Sequence, residues 1–475
     1  MNQTANVRLL RPAVGRSLLV AVRLRSSRHF KPKIAPTRAQ KTPSMLALDH
    51  FDFYYGPIFG KHWPSIRLGL LTPNKFVAVV NRLSASADVN AAILRDLPTL
   101  DLVQLLTKGK PLAAERIAAK QTASGAGGEE RQEFQVEDRL PNAEEFDEQR
   151  EADGLSRSEA TLSEFRQPEG EFTYGDLQMG RDGLESGRKS EIAITGLEYI
   201  GQELEIVDET LYYPRELQLL TFGRDDLSDF PAPIKDEQGI SSWWLLDGSS
   251  VVPVLALDIQ QGDVVLDMCA APGGKSLLIT QGGKFGRLVC NDAKLSRLGQ
   301  LRRALSMYIP VDSEFNERIV LKRKDASSVE AWDEEQIYDR VLVDAPCTTD
   351  RLSVNQDELN MFTVGQTQER LNLPQLQTKL LLNALRSVKV GGTVVYSTCA
   401  LSPQQNECVV ENAAALAREH FAMDVVEVSV RRLEHHLRNT GLFRFADKCR
   451  RGMLIVPSIR SNFGPMYVCK LRRTK

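Results

Sequence analysis

Five short apolar runs alternate with helix-length segments in the C-terminal half of the chain, and that alternation most narrows the folds open to it. The runs lie at 263–268, 287–291, 318–322, 338–343 and 392–397. Helix-like stretches fall between or after them near 274–282, 294–309, 366–389 and 403–418. A strand that is apolar on both faces has no solvent side, so each run needs cover above and below. Such strands, separated by helices, build a mostly parallel sheet. Two more strands are expected at 425–430 and 465–470. The expected fold class is α/β, a doubly wound Rossmann-like sheet within a domain spanning 192–475.

Charge divides the rest of the chain. The 475 residues carry a net charge of −2, but residues 1–48 hold ten Lys/Arg and no acid. Arg8, Arg11, Arg16, Arg23 and Arg25 sit among Leu, Val and Ala there. That is the make-up of a mitochondrial transit peptide, since a secretory signal has a longer apolar centre free of Arg. A basic arm that binds nucleic acid directly is the competing reading. Residues 49–112 read as a small N-terminal helical region, opened by His62 to Arg67, with Leu68–Leu71, Phe76, Val77, Val79 and Val80 as apolar faces. Residues 113–191 are rich in Gly, Glu and Ser, and 129–191 hold 19 acids against eight bases. So little apolar surface cannot offset the entropy of ordering, so a disordered acidic linker is expected.

No apolar run approaches the roughly 18 residues that cross a bilayer, and a membrane-spanning protein is excluded. Without the basic leader the net charge becomes −12. Contact with nucleic acid then needs a local basic patch or a positively charged partner. The stretch 446–475, with eight bases against Asp447, is a candidate patch, and a solvated basic end is its plainer reading.

The sequence VVLDMCAAPGGKS occupies 264–276. A strand ends at Asp267, a turn of small residues follows, and a helix opens at Lys275. Gly274-Lys275-Ser276 matches the end of a phosphate-binding loop, but G-x-x-x-x-G-K-[ST] needs glycine where Cys269 stands. The dinucleotide fingerprint is also missing. A nucleotide-like cofactor without a triphosphate remains, and S-adenosylmethionine fits. Gly273 and Gly274 would let it approach the backbone, or they simply make a tight turn. Asp292, 18 residues beyond Gly274, ends the second strand where a ribose diol would be held. Arg297 would support that site. Asp325 follows the third strand and suits an adenine amino group. For both acids a helix N-cap is the alternative.

Seven cysteines stand at 269, 290, 347, 399, 408, 449 and 469 with no C-x-x-C pair, which is neither a disulfide framework nor a zinc spacing. Two of them follow successive strands: Asp344-Ala345-Pro346-Cys347 and Thr398-Cys399. Cytosine C5 is a poor nucleophile. A thiolate that adds to C6 makes C5 enamine-like and able to accept a methyl group. Such a thiol needs positive surroundings or a nearby base to ionise. Either cysteine alone reads as a small buried hydrophobe. Together, after neighbouring strands, they read as catalytic, and the other five as structural.

DMCAAPGGK, DAPC and STC, in this order and at these intervals, resemble the Sun-domain (Fmu-like) family of RNA cytosine-5 methyltransferases over 204–475. WPSIR at 63–67 and SWWLLDGSSVVPVLAL at 242–257 resemble its mitochondrial rRNA branch. The resemblance implies a class I methyltransferase sheet, with Cys399 attacking C6 and Cys347 helping to eliminate the adduct. It implies that Gly273, Gly274, Lys275, Asp292, Arg297, Asp325 and Asp344 line the S-adenosylmethionine site, Lys275 and Asp344 also lying near the reacting base. It further implies mitochondrial small-subunit rRNA as substrate, a helical-repeat partner of the mTERF family, and a part in assembling the mitochondrial ribosomal subunit. A ribosome-assembly factor with dispensable catalysis, or the same chemistry on tRNA, are the competing readings. In each enzymatic case the cytosine is flipped or single-stranded.

Overall fold

The computed structural model describes residues 41–108, 204–226 and 228–475. The leader as far as residue 40 and the acidic linker expected at 113–191 lie outside the described residues. Helix α1 (Pro43–Phe59) starts at Thr42, whose hydroxyl accepts the Met45 N–H, with proline in its first turn. Proline suits that position because its missing N–H would have no helical partner there. Ala47, Phe51 and Tyr55, four residues apart, form the buried stripe. The leader expected over 1–48 overlaps the start of this helix. Residues 43–48 are already helix, and Ala47 is fully buried, so packing rather than charge sets where this element begins.

Helix α2 (Trp63–Leu71), strand β1 (Phe76–Val80), helix α3 (Ala87–Arg95), strand β2 (Thr99–Asp101) and helix α4 (Leu102–Lys108) follow. The small helical region expected over 49–112 holds these helices and two strands besides. Phe76, Val77, Val79 and Val80 lie in a strand, as a run of β-branched residues buried on both faces favours. After the undescribed stretch come β3 (Ile206–Val207), β4 (Leu219–Phe222) and β5 (Trp243–Asp247). Strands β2, β4, β1 and β5 pair antiparallel in that order, burying Val77, Val79 and Trp244 on one face and Ala78, Val80 and Trp243 on the other. Strands from both sides of residue 192 share this one sheet.

Apart from β3, the main sheet is built after helix α5 (Val252–Leu257). Strand β6 (Val264–Asp267), helix α6 (Gly274–Gly282), strand β7 (Arg287–Asn291), helix α7 (Leu295–Tyr308) and strand β8 (Ile319–Lys322) build one half. Strand β9 (Tyr338–Asp344), helices α8 (Asp350–Asn355) and α9 (Thr367–Ser387), strand β10 (Val388–Thr398) and helix α10 (Glu407–Phe421) build the other. Strand β11 (Val425–Val428), helix α11 (Arg431–Asn439), and strands β12 (Met453–Ile455) and β13 (Met466–Arg473) complete it. The strand order is β3-β11-β13-β10-β9-β6-β7-β8, with β12 on β13. From β10 to β8 every pairing is parallel, and β13 runs antiparallel between β10 and β11.

Both faces of this sheet are covered, as the continuous apolar runs require. Along β9, Val341 and Val343 pack into one core with Leu381 and Leu385 of α9 and Val409 of α10. Leu342, between them, packs into the other core with Leu277 of α6 and Leu301 of α7. The chain winds away from β6 towards β8, then returns to add β9 and β10 on its other side. That reversal opens a crevice at the carboxyl ends of β6 and β9, the place where sheets of this type hold their ligands.

Candidate active site

The turn after β6 is pinned from the neighbouring strand. The Asn291 side chain donates to the Met268 carbonyl at 3.0 Å, and the Ala270 N–H donates to the Asn291 carbonyl at 2.8 Å. Gly273 has φ +117, and a Cβ there would meet Leu301 Cδ1 at 2.9 Å. A Cβ on Gly274 would meet Leu246 Cδ1 at the same distance. Gly273 is required by its left-handed backbone, whereas at Gly274 the near atom is the movable end of a leucine side chain.

Acids gather around this turn. Asp267, only 1% exposed, accepts the Ser276 hydroxyl at 2.6 Å on Oδ2, while its Oδ1 is buried without a partner. Burial pushes its pKa up to about 7; the Ser276 hydroxyl opposes that rise and the Asp344 charge adds to it. Asp292, at the end of β7, accepts the Lys294 N–H at 3.0 Å and faces the Arg297 guanidinium at 3.4 Å. Arg297 also donates to the Ala271 carbonyl, tying α7 to the turn. Asp325 stands apart. It is exposed, and its Oδ1 accepts the Ser327 N–H at 2.9 Å and the Ser327 hydroxyl at 2.7 Å, a local turn that no helix follows, so it caps none.

Asp344, at the end of β9, accepts Lys275 Nζ at 2.7 Å and the Ser397 hydroxyl at 2.9 Å. Burial works against the charge on Lys275, but Asp344 in contact outweighs it and holds the ammonium above its usual pKa. Ser397 is a participant that sequence reasoning missed; its place beside the STC cysteine was the available signal. Strand register then explains the thiols. Ser397 of β10 pairs with Asp344 of β9, so the loops that leave these two strands start side by side. Cys347 Sγ and Cys399 Sγ lie 3.2 Å apart. Contact with Cys347 and then burial raise the Cys399 thiol well above its usual pKa, and Lys275 pulls the other way. Those surroundings favour the protonated Cys399 thiol, with the Lys275 cation nearby to favour the thiolate.

A cleft of about 500 Å³ opens on Cys399, lined by Asp247, Ser249, Arg351, Leu352 and Met466 among others. That is within the size range of small-molecule sites. The basic C-terminal stretch does not face solvent as a free patch. Lys470 and Arg472 both pair with Glu209, Arg451 with Glu411 and Glu427, and Arg460 with Asp225. Strand formation by β13 turns several of these side chains inwards, which the charge count alone does not reveal.

A family model described as 16S rRNA methyltransferase RsmB/F matches residues 254–471. The chain is 52% identical over 445 residues to a Caenorhabditis elegans protein named 5-cytosine rRNA methyltransferase nsun-4, covering 94% of this chain and 95% of that one. It is 36% identical over 449 residues to Xenopus laevis 5-cytosine rRNA methyltransferase NSUN4, covering 94% of each. A Danio rerio protein named tRNA (cytosine(34)-C(5))-methyltransferase, mitochondrial, is 34% identical over 258 residues, covering 54% of this chain and 68% of its own. The chain belongs to the RsmB/F, or Sun-domain, family of 5-cytosine RNA methyltransferases.

Proposed function

We propose that this protein methylates C5 of a cytosine in mitochondrial small-subunit rRNA, using S-adenosylmethionine and a transient bond from Cys399 to C6. The observation that carries the reading is the 3.2 Å approach of two thiols beside the Lys275–Asp344 pair. Cys399 Sγ would add to C6 of a base seated in the cleft, with Lys275 favouring its thiolate. Asp344 would accept a hydrogen bond from the cytosine amino group and orient the ring. Once C5 carries the methyl group, its proton must leave as the C6–S bond breaks, and Cys347, close enough to reach the same pyrimidine, would assist this elimination that frees Cys399. The groups around the β6 turn suit the cofactor. The unpartnered Asp267 oxygen, Asp292 and Asp344 form an acidic cradle for a ligand that carries a sulfonium and an ammonium. Asp292 would take the ribose hydroxyls, Asp325 the adenine amino group, and Gly273, Gly274 and Arg297 would keep the turn in shape. Bound there, S-adenosylmethionine would supply the electrophilic methyl group.

The rRNA reading is preferred to tRNA because the relatives named for rRNA align over 94% of this chain and the tRNA-named relative over 54%. The basic leader would direct import to mitochondria. A helical-repeat partner of the mTERF family would supply positive surface, and a role in assembling the ribosomal subunit would accompany catalysis. The test offers tritiated S-adenosylmethionine with purified small-subunit rRNA and, separately, mitochondrial tRNA. Labelled 5-methylcytosine in rRNA, lost in Cys399→Ala, is expected. Label confined to tRNA, or undiminished by the substitution, overturns the reading.

A further inference from the structure

Asp350, at the start of α8, is fully buried, yet no part of the proposed chemistry uses it. Its Oδ1 accepts the hydroxyl of Thr348, the residue after Cys347. Its Oδ2 accepts the Leu401 N–H, two residues after Cys399, at 2.7 Å. The same oxygen accepts the hydroxyl of Tyr55, from α1, also at 2.7 Å. The Asp350 N–H donates to the Cys399 carbonyl at 3.3 Å. One carboxylate thus binds both thiol-bearing loops and the N-terminal helix. Burying a charged group is seldom the best route to stability, since apolar packing serves as well or better. What a carboxylate with three donors provides is a single geometry, because no neutral side chain of its size accepts all three.

We propose that Asp350 is a positioning residue that sets the spacing of Cys347 and Cys399, and that Tyr55 makes the N-terminal helix part of that setting. The proposal rests on the two-thiol reading above. Its consequence is that the methyltransferase sheet is catalytically incomplete without α1, although α1 touches neither thiol through any hydrogen bond described here. Gln405 braces the same loop, accepting the Thr348 N–H at 3.1 Å and donating to the Thr348 hydroxyl at 3.0 Å. Asp350, in addition, reaches the loop beyond Cys399 and α1 together.

The experiment compares wild type, Asp350→Asn and Tyr55→Phe in the full chain. It follows turnover and also the rate at which dibromobimane, a short reagent that fluoresces on bridging two thiols, links Cys347 to Cys399. Cys347→Ser supplies the bridging background. Expected is a tenfold or greater fall in kcat for Asp350→Asn and a several-fold fall for Tyr55→Phe, with KM for S-adenosylmethionine within twofold of wild type and a parallel fall in bridging rate. A purely structural role would lower the melting temperature without slowing bridging in the folded protein. Wild-type kcat and bridging in the variants overturn the proposal, and if Asp350→Asn does not fold, Tyr55→Phe decides. If wild type transfers no methyl group, the functional reading fails, while the bridging rates still judge the spacing.

Discussion

Replacing Asp267 by asparagine removes a carboxyl whose ionisation the fold opposes. Asp267 is 1% exposed, and one of its oxygens has no partner. Its pKa stands at about 7 in the folded chain against an ordinary value of 3.8, burial being the main cause. Because the folded value is the higher one, the native state holds the proton more tightly than the unfolded state. The stability this confers is complete below pH 3.8 and is lost as pH rises through about 7. At 1.36 kcal/mol per pKa unit the whole loss is about 4 kcal/mol, of which about 3 kcal/mol falls between about pH 5 and about pH 8. Asparagine keeps the shape and can still accept the Ser276 hydroxyl, but it has no proton to lose. Urea unfolding of both proteins at about pH 5 and about pH 8 isolates the effect, because all other titrating groups are shared. The stability of Asp267→Asn relative to wild type should improve by about 3 kcal/mol across that interval. Parallel profiles would refute the reasoning, showing that water or structural relaxation keeps the carboxylate comfortable.

Gly273→Ala should lower stability by about 1–3 kcal/mol, since alanine is strained at a positive φ and its Cβ meets Leu301; an unchanged melting temperature would count against it. Asp325→Ala should cost under about 1 kcal/mol in unfolding, as expected for loss of an exposed turn contact, while raising KM for S-adenosylmethionine several-fold. An unchanged KM would leave Asp325 as a turn residue alone. Lys275→Met should leave the Asp344 carboxylate without its cation, slow methyl transfer by at least tenfold, and shift the pH at which Cys399 reacts with iodoacetamide upwards. Alkylation with an unmoved pH profile would contradict the assigned role of that cation.

Legibility followed periodicity and spacing. Strand β7 and helix α6 fall at the ranges their patterns predict, because apolar runs buried on both faces leave little freedom in where an element starts. The two thiols were readable as a pair because each follows an apolar strand, although only the register of Ser397 against Asp344 explains their contact. The small sheet was not readable in the same way. Periodicity alone does not separate a run as short as Phe76–Val80 from a buried helix segment, and its partners β4 and β5 lie more than a hundred residues further along. Asp350 escaped notice since nothing local marks an acid whose partners, Tyr55 and Leu401, are distant in the chain. The basic C-terminal stretch misled for the converse reason, as a count of charges carries no information about Glu209 waiting across the fold.

Most direct for the central claim is intact-mass analysis of Cys347→Ala incubated with S-adenosylmethionine and a short rRNA fragment containing the target cytosine, followed by peptide mapping under denaturing conditions. The two-thiol account predicts a stable protein–RNA adduct attached at Cys399 and carrying the transferred methyl group, absent when Cys399 is also replaced. A fully active Cys347→Ala protein with no adduct, or an adduct attached elsewhere, would contradict it.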